Sequence, residues 1–148
     1  MNMALREKAV RMMDALPDEG IEAVIRFIKK RRKMAELMPK EKLDMICAKV
    51  ADCYRRAFGD KLRDVYLYGS YARGDCDEES DIDFVAIVDE EQLPMQEKLK
   101  QTEHEMSDFD LEHDIVTSMT AIPASRFDEY KDREAYYMNI MREGRKIA

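Results

Sequence analysis

Cysteine and histidine are scarce in this 148-residue chain, at three and two residues. Cys47, Cys53 and Cys76 are too few for a disulfide framework, and their spacings match no zinc pattern. His104 and His113 stand in no Cys/His cluster, so a structural metal site is not expected. Low-complexity stretches and internal repeats are also missing, which argues against a fibrous or disordered chain. The longest uninterrupted aliphatic stretch, Phe84 to Val88, falls far short of the ~20 residues that span a bilayer. At the N-terminus, Arg6, Glu7, Lys8 and Arg11 break up any apolar run of signal-peptide type. These absences lead to the expectation of a cytoplasmic protein with no membrane partner.

What is present suits one folded domain with a sizeable core. Hydrophobic residues make up 45%, charged residues 39%, and the mean hydropathy is −0.59. The net charge of −7 is unevenly spread. Residues 1–60 carry 14 Lys and Arg against 10 Asp and Glu, whereas residues 61–148 carry 11 against 22. An acidic segment repels phosphates unless divalent cations intervene, so a nucleotide site there requires bound metal. The same charge argues against an electrostatic nucleic-acid binder.

Hydrophobic spacing predicts three helices first. Leu5, Val10, Met13 and Leu16 mark one, and Leu16-Pro17-Asp18-Glu19 breaks it and starts another. Ile21, Val24, Ile25 and Ile28 carry the second helix to a basic end, Lys29-Lys30-Arg31-Arg32-Lys33. That run suits the negative end of a helix dipole, and a binding patch is the alternative. After Pro39, Leu43, Ile46, Cys47, Val50 and Tyr54 define an amphipathic helix that Gly59 terminates. Val65-Tyr66-Leu67-Tyr68 reads as a strand ending at Gly69, and Asp81 to Val88 as a strand buried on both faces. Glu90 to Ser107 reads as a helix, Leu111 to Met119 as a third strand, and Pro123 onward as short helices ending near Gly144. The expected fold is α/β (α+β): a small mixed sheet flanked by helices over residues 39–148, preceded by a helical hairpin extension over residues 1–38. That hairpin could pack on the core, mediate homo-oligomerisation or dock a partner.

Chemistry concentrates in Tyr68-Gly69-Ser70-Tyr71-Ala72-Arg73-Gly74-Asp75 and in Asp81-Ile82-Asp83. Glycine at a strand–helix turn allows close approach to a phosphate, and the Ser70 hydroxyl adds a hydrogen bond. Arg73, one turn later, suits phosphate oxygens. Asp81 and Asp83, two apart on a strand, project from one face and repel each other unless a divalent cation lies between them. A metal pair would stabilise both the attacking and the leaving oxygen in phosphoryl-type transfer. A third acid is then expected from a neighbouring strand. Asp114 is the best candidate, read as mid-strand in Glu112-His113-Asp114-Ile115-Val116-Thr117, with Asp108 and Asp110 as nearby alternatives. Tyr66, Tyr68, Tyr136 and Tyr137 read as packing residues.

Gly69-Ser70, the ten residues that follow, and Asp81-Ile82-Asp83 resemble the signature of the DNA polymerase β-like nucleotidyltransferase superfamily. The fuller string Gly-Ser-Tyr-Ala-Arg-Gly-Asp…Glu-Ser-Asp-Ile-Asp resembles its minimal branch, which includes MntA-type antitoxins. The resemblance spans residue 62 to about residue 119. It implies a mixed sheet flanked by helices and transfer of a nucleoside monophosphate from an NTP, with AMP from ATP the leading case. It implies Mg²⁺, two ions, held by Asp81, Asp83 and Asp114 as catalytic residues. It assigns Gly69 and Ser70 to the nucleotide, beside Arg73, read above as suited to phosphate oxygens. In the antitoxin branch the acceptor is a tyrosine of a HEPN-type toxin, which becomes AMPylated. Only some 30 residues follow Asp114, leaving little room for an acceptor domain, so a partner protein is the expected acceptor. A non-catalytic antitoxin module of the same fold and a small-molecule, aminoglycoside-type enzyme are the alternatives.

Overall fold

The computed structural model describes residues 2–148 and divides into two units, Met1–Met38 and Pro39–Ala148. The first unit contains α1 (Met3–Asp14) and α2 (Asp18–Leu37). The Asn2 side chain caps α1 by accepting the Leu5 N–H at 3.2 Å. Pro17 supplies the N-cap of α2, with Asp18 and Glu19 in its first turn beside the positive end of the dipole. The basic run does not end α2. Met34-Ala35-Glu36-Leu37 are good helix formers and carry it one turn further, until Pro39 disfavours helical geometry at Met38.

The second unit opens with α3 (Lys40–Phe58), which buries Ile46, Cys47, Val50, Ala51, Cys53, Tyr54 and Phe58. Gly59, at φ 53°, ends it in a conformation that side-chain-bearing residues rarely adopt. A 3-10 turn leads into β1 (Leu62–Tyr68), followed by α4 (Gly69–Arg73), β2 (Ile82–Val88), α5 (Gln92–His113), β3 (Thr117–Pro123), α6 (Ala124–Tyr130), α7 (Ala135–Glu143) and β4 (Arg145–Lys146). The sheet order is β3-β2-β1-β4. β2 runs antiparallel to β1 and parallel to β3, and β4 pairs antiparallel with β1. The sheet is therefore mixed, with helices on both faces.

Because β2 is central, it is apolar from Phe84 to Val88 beyond Asp83, and the two faces are buried by different helices. Val85 and Ile87 pack with Ile122, Phe127, Tyr137 and Ile140, flanked by Tyr66 and Tyr68. Ile82, Phe84 and Ala86 alternate to the opposite face, where α3 and α5 lie against the strands. Each large side chain so buried contributes roughly 1.5–3 kcal/mol. The fully buried Tyr54 places its hydroxyl among backbone acceptors and donates to the Thr120 carbonyl at 2.8 Å. None of the three cysteines forms a disulfide. Among the described residues, no helix is long and apolar enough to cross a membrane.

Two elements differ from the sequence expectation. The helix expected to stop at Ser107 continues to His113, and the strand expected from Leu111 begins at Thr117. Between Pro94 and Pro123 the chain has neither glycine nor proline, so nothing interrupts the helix. Asp114 serves instead as its terminator: it adopts the left-handed region, φ 52° and ψ 51°, and the Ile115 N–H then reaches back to the Asp110 carbonyl at 3.0 Å. The second difference is β4, two residues long and too short to leave any periodic pattern.

Candidate functional site

The site is built where β1 gives way to α4 beside the start of β2. Gly69 has φ 72°, and a Cβ at this position would stand 3.2 Å from Asp83 Cγ and closer still to its Oδ2. Glycine is thus required twice over, for the backbone conformation and for the space Asp83 occupies. The antiparallel register explains the proximity, since Tyr68 pairs with Asp83 and Gly69 follows directly. The Ser70 carbonyl accepts the Gly74 and Asp75 N–H groups at 2.9 and 3.1 Å, and Gly74, at φ 83°, turns the chain out of α4.

The acidic loop that follows holds itself in shape. Asp77 Oδ1 accepts from the Glu79 N–H and from the Ser80 hydroxyl, each at 3.0 Å. Ser80 Oγ in turn accepts the Asp77 N–H at 2.9 Å. This closed Asx-type turn delivers Asp81 to the head of β2, where the Ile82 N–H donates to the Val116 carbonyl at 2.8 Å. Burial raises the Asp83 carboxyl above the usual carboxylate range. The Asp81 charge raises it further, and Arg73 partly offsets both. Two neighbouring carboxylates, one penalised by burial and by the other, form a local surplus of negative charge that a divalent cation would relieve.

Arg73 lies at the end of α4, with its Nε 3.2 Å from Asp75 Oδ2 and its Nη1 3.4 Å from Glu143 Oε2 on α7. To reach a phosphate it would exchange these carboxylates for a more highly charged anion. The structure therefore brings Gly69, Ser70, Arg73, Asp81 and Asp83 into one region.

Asp114 is different. It is not mid-strand, because the left-handed cap of α5 takes that residue, and β3 begins three positions later. Asp108 is exposed on α5. Asp110 accepts the Thr117 N–H at 2.9 Å and the Thr117 hydroxyl at 2.9 and 3.0 Å, which commits its carboxylate to the α5–β3 junction. Among the described residues no three His, Cys, Asp or Glu side chains form a metal-holding group. Asp81 and Asp83 suit one cation; the third carboxylate is not assembled.

Three further residues stand beside this pair: Ser118, which the sequence did not mark, and Tyr68 and Tyr136, which read there as packing residues. Ser118 pairs with Asp83 across the parallel β2–β3 ladder, as Tyr68 does on the other side. Tyr136, on α7, sets its ring edge-on to Tyr68 at 6.1 Å and 86°, with the two hydroxyls 3.4 Å apart. Burial, and after it the contact with Tyr68, push the Tyr136 hydroxyl well up, and the Asp83 charge adds to this. These residues look like ordinary packing or strand residues until register is known. A cleft of about 370 Å³ opens on the β3 side, lined by Asp81, Glu103, Met106, Asp110, Thr117 and Ser118 among others.

Comparison with known proteins places this geometry in a family. The profile of the family described as "Nucleotidyltransferase domain" matches residues 47–144. A protein of Methanocaldococcus jannaschii named "Putative protein adenylyltransferase MJ0141" is 44% identical over 59 residues, which cover 40% of this chain and 58% of that protein. The match thus spans less than two thirds of that relative. A solved toxin–antitoxin structure with AMP-PNP aligns at TM-score 0.45 and 16% identity, covering 69% of this chain and 72% of that one. A tri-AMPylated Shewanella oneidensis HEPN toxin in complex with its MNT antitoxin aligns at TM-score 0.41 and 14% identity, covering 72% and 71%.

Proposed function

This chain belongs to the nucleotidyltransferase domain family, and from that premise we propose that it transfers a nucleoside monophosphate from an NTP to a hydroxyl of another protein. One observation carries the reading: the Gly69 turn and the Asp83 carboxylate are in contact, which only glycine permits. A triphosphate lying along the turn would be held next to the carboxylates that hold its cation. In this reading Gly69 and Ser70 receive the triphosphate, Arg73 neutralises its oxygens, and Asp81 and Asp83 hold Mg²⁺. When bound, the ion offsets negative charge on the phosphates and on the departing pyrophosphate. The acceptor oxygen forms a bond to Pα while the Pα–O bond to the β-phosphate breaks. The hydroxyl proton leaves to solvent or to a nearby carboxylate.

ATP is the donor and AMP the transferred group in this proposal, in keeping with the name of the Methanocaldococcus jannaschii relative. The acceptor is a tyrosine of a HEPN-type toxin, for which the string from Gly69 to Asp83 is the support. α1 and α2 expose Leu5, Val10, Phe27 and Ile28, apolar side chains that suit a partner or a second copy. A second reading has a specific observation behind it: with no third carboxylate assembled, the fold would bind nucleotide and partner without transferring anything.

Incubation with Mg²⁺, labelled ATP and a co-expressed helical toxin separates the two. Transfer that is lost in Asp81→Asn and Asp83→Asn, both still folded, supports the enzyme. ATP binding and toxin neutralisation without transfer establish the second reading. Absence of any nucleotide binding defeats both.

A further inference from the structure

β2 and β3 are parallel and in register, with Ile82 opposite Thr117, Asp83 opposite Ser118 and Phe84 opposite Met119. Residues directly opposite on neighbouring strands share a face. Asp83 alternates with Val85 and Ile87, and Ser118 with Thr120 and Ile122. Val85, Ile87 and Ile122 pack in one cluster, so Ser118 and Asp83 lie on the same side of the sheet. A side chain at 118 is therefore the nearest that β3 can offer to a cation held between Asp81 and Asp83. On the other flank Asp83 faces Tyr68, again a neutral hydroxyl. Among the described residues no third His, Cys, Asp or Glu completes a metal-holding group with Asp81 and Asp83; Asp110 holds Thr117, and Asp114 is at the α5 cap.

The register points to a site that holds a single divalent cation, with Ser118 as the residue that sets this stoichiometry, an inference that rests on the proposed nucleotide-binding role of Asp81 and Asp83. Two carboxylates balance one divalent ion on the protein side, and triphosphate oxygens fill further positions of its shell. A second ion within ~4 Å of the first would share phosphate oxygens but would find on the β3 side only a hydroxyl, a weaker ligand for a hard cation than a carboxylate. The protein thus keeps the ion that accompanies the triphosphate and lacks a ligand set for a partner ion on the β3 side. Replacing Ser118 with a carboxylate would supply that set.

Electron paramagnetic resonance of Mn²⁺ bound to the full chain, with a non-hydrolysable ATP analogue, tests this without relying on activity. The wild type should show an isolated-ion spectrum, and Ser118→Asp should show the exchange-coupled spectrum of two neighbouring ions. Ser118→Asn, similar in size to Asp but uncharged, should remain isolated-ion. A coupled pair in the wild type overturns the inference while leaving the nucleotide-binding reading intact. No bound Mn²⁺ in the wild type removes both. A folded Ser118→Asp that binds only one ion also overturns it. Should Ser118→Asp fail to fold, the wild-type spectrum alone decides.

Discussion

Gly69→Ala is the sharpest perturbation of the site, because two separate penalties meet at one atom. The backbone penalty comes from φ 72°, where an added Cβ crowds the following carbonyl at a cost of about 1–2 kcal/mol. The contact penalty comes from Asp83, whose Cγ would lie 3.2 Å from the new methyl, with a carboxylate oxygen nearer still. Asp83 must rotate away, and its carboxylate then no longer faces the turn. Gly59→Ala provides the control, for Gly59 also has positive φ, 53°, but a Cβ there meets nothing within 4 Å. Both variants should lose stability through the backbone penalty, a Tm drop of roughly 2–8 °C for a chain of this size, with Gly69→Ala losing more through its contact with Asp83. Only Gly69→Ala should also lose Mg²⁺-dependent ATP binding, by at least about tenfold if ~1.4 kcal/mol of cation contact is lost. Thermal denaturation with and without Mg·ATP measures both effects: ligand should raise the Tm of wild type and Gly59→Ala but not of Gly69→Ala. Equal ligand stabilisation of all three proteins would refute the argument that the turn and Asp83 act together.

Asp83→Asn should raise the stability of the metal-free protein at neutral pH while abolishing Mn²⁺ binding. The sign follows from the carboxyl being held above its ordinary value: folding penalises the charged form, so protonation relieves the fold as pH falls through that raised value. The advantage of Asp83→Asn over wild type should accordingly shrink in acid, which denaturant unfolding at a series of pH values would show. Over the same interval Mn²⁺ affinity of the wild type should fall, because the cation needs the carboxylate. Asp114→Gly should leave Mn²⁺ and ATP binding unchanged and hold or gain up to about 1 kcal/mol, since glycine suits the left-handed cap at φ 52°; loss of Mn²⁺ binding would return Asp114 to the metal site. Tyr54→Phe should cost about 1–2 kcal/mol through the lost bond to the Thr120 carbonyl, with ATP binding intact.

Helices and strands that announce themselves by long repeats were legible in the sequence, and so was the meeting of the Gly69 turn with Asp83. The stripe Leu43, Ile46, Cys47, Val50 and Tyr54 runs about three turns, with Gly59 five residues on, and α3 occupies that span and ends at the glycine. Gly69-Ser70 and Asp81-Ile82-Asp83 are contiguous motifs, so their joint placement needs only a strand, a turn and a strand. The β3 side depends instead on register. Leu111 to Thr117 contains β-branched residues that suit a strand, yet helix propagation through an unbroken Leu-Glu-His segment outweighs that local preference. A shift of a few residues then decides whether Asp114 or Ser118 stands beside Asp83, and no local pattern encodes that shift. It is set by where Asp114 turns the chain left-handed and by Asp110 gripping both the N–H and the hydroxyl of Thr117. Asp114, read in the sequence as the third metal ligand, and Asp110, one of its two alternatives, thus act as the clamp that fixes β3, and by fixing it they set a serine opposite Asp83 where a second cation would need a carboxylate.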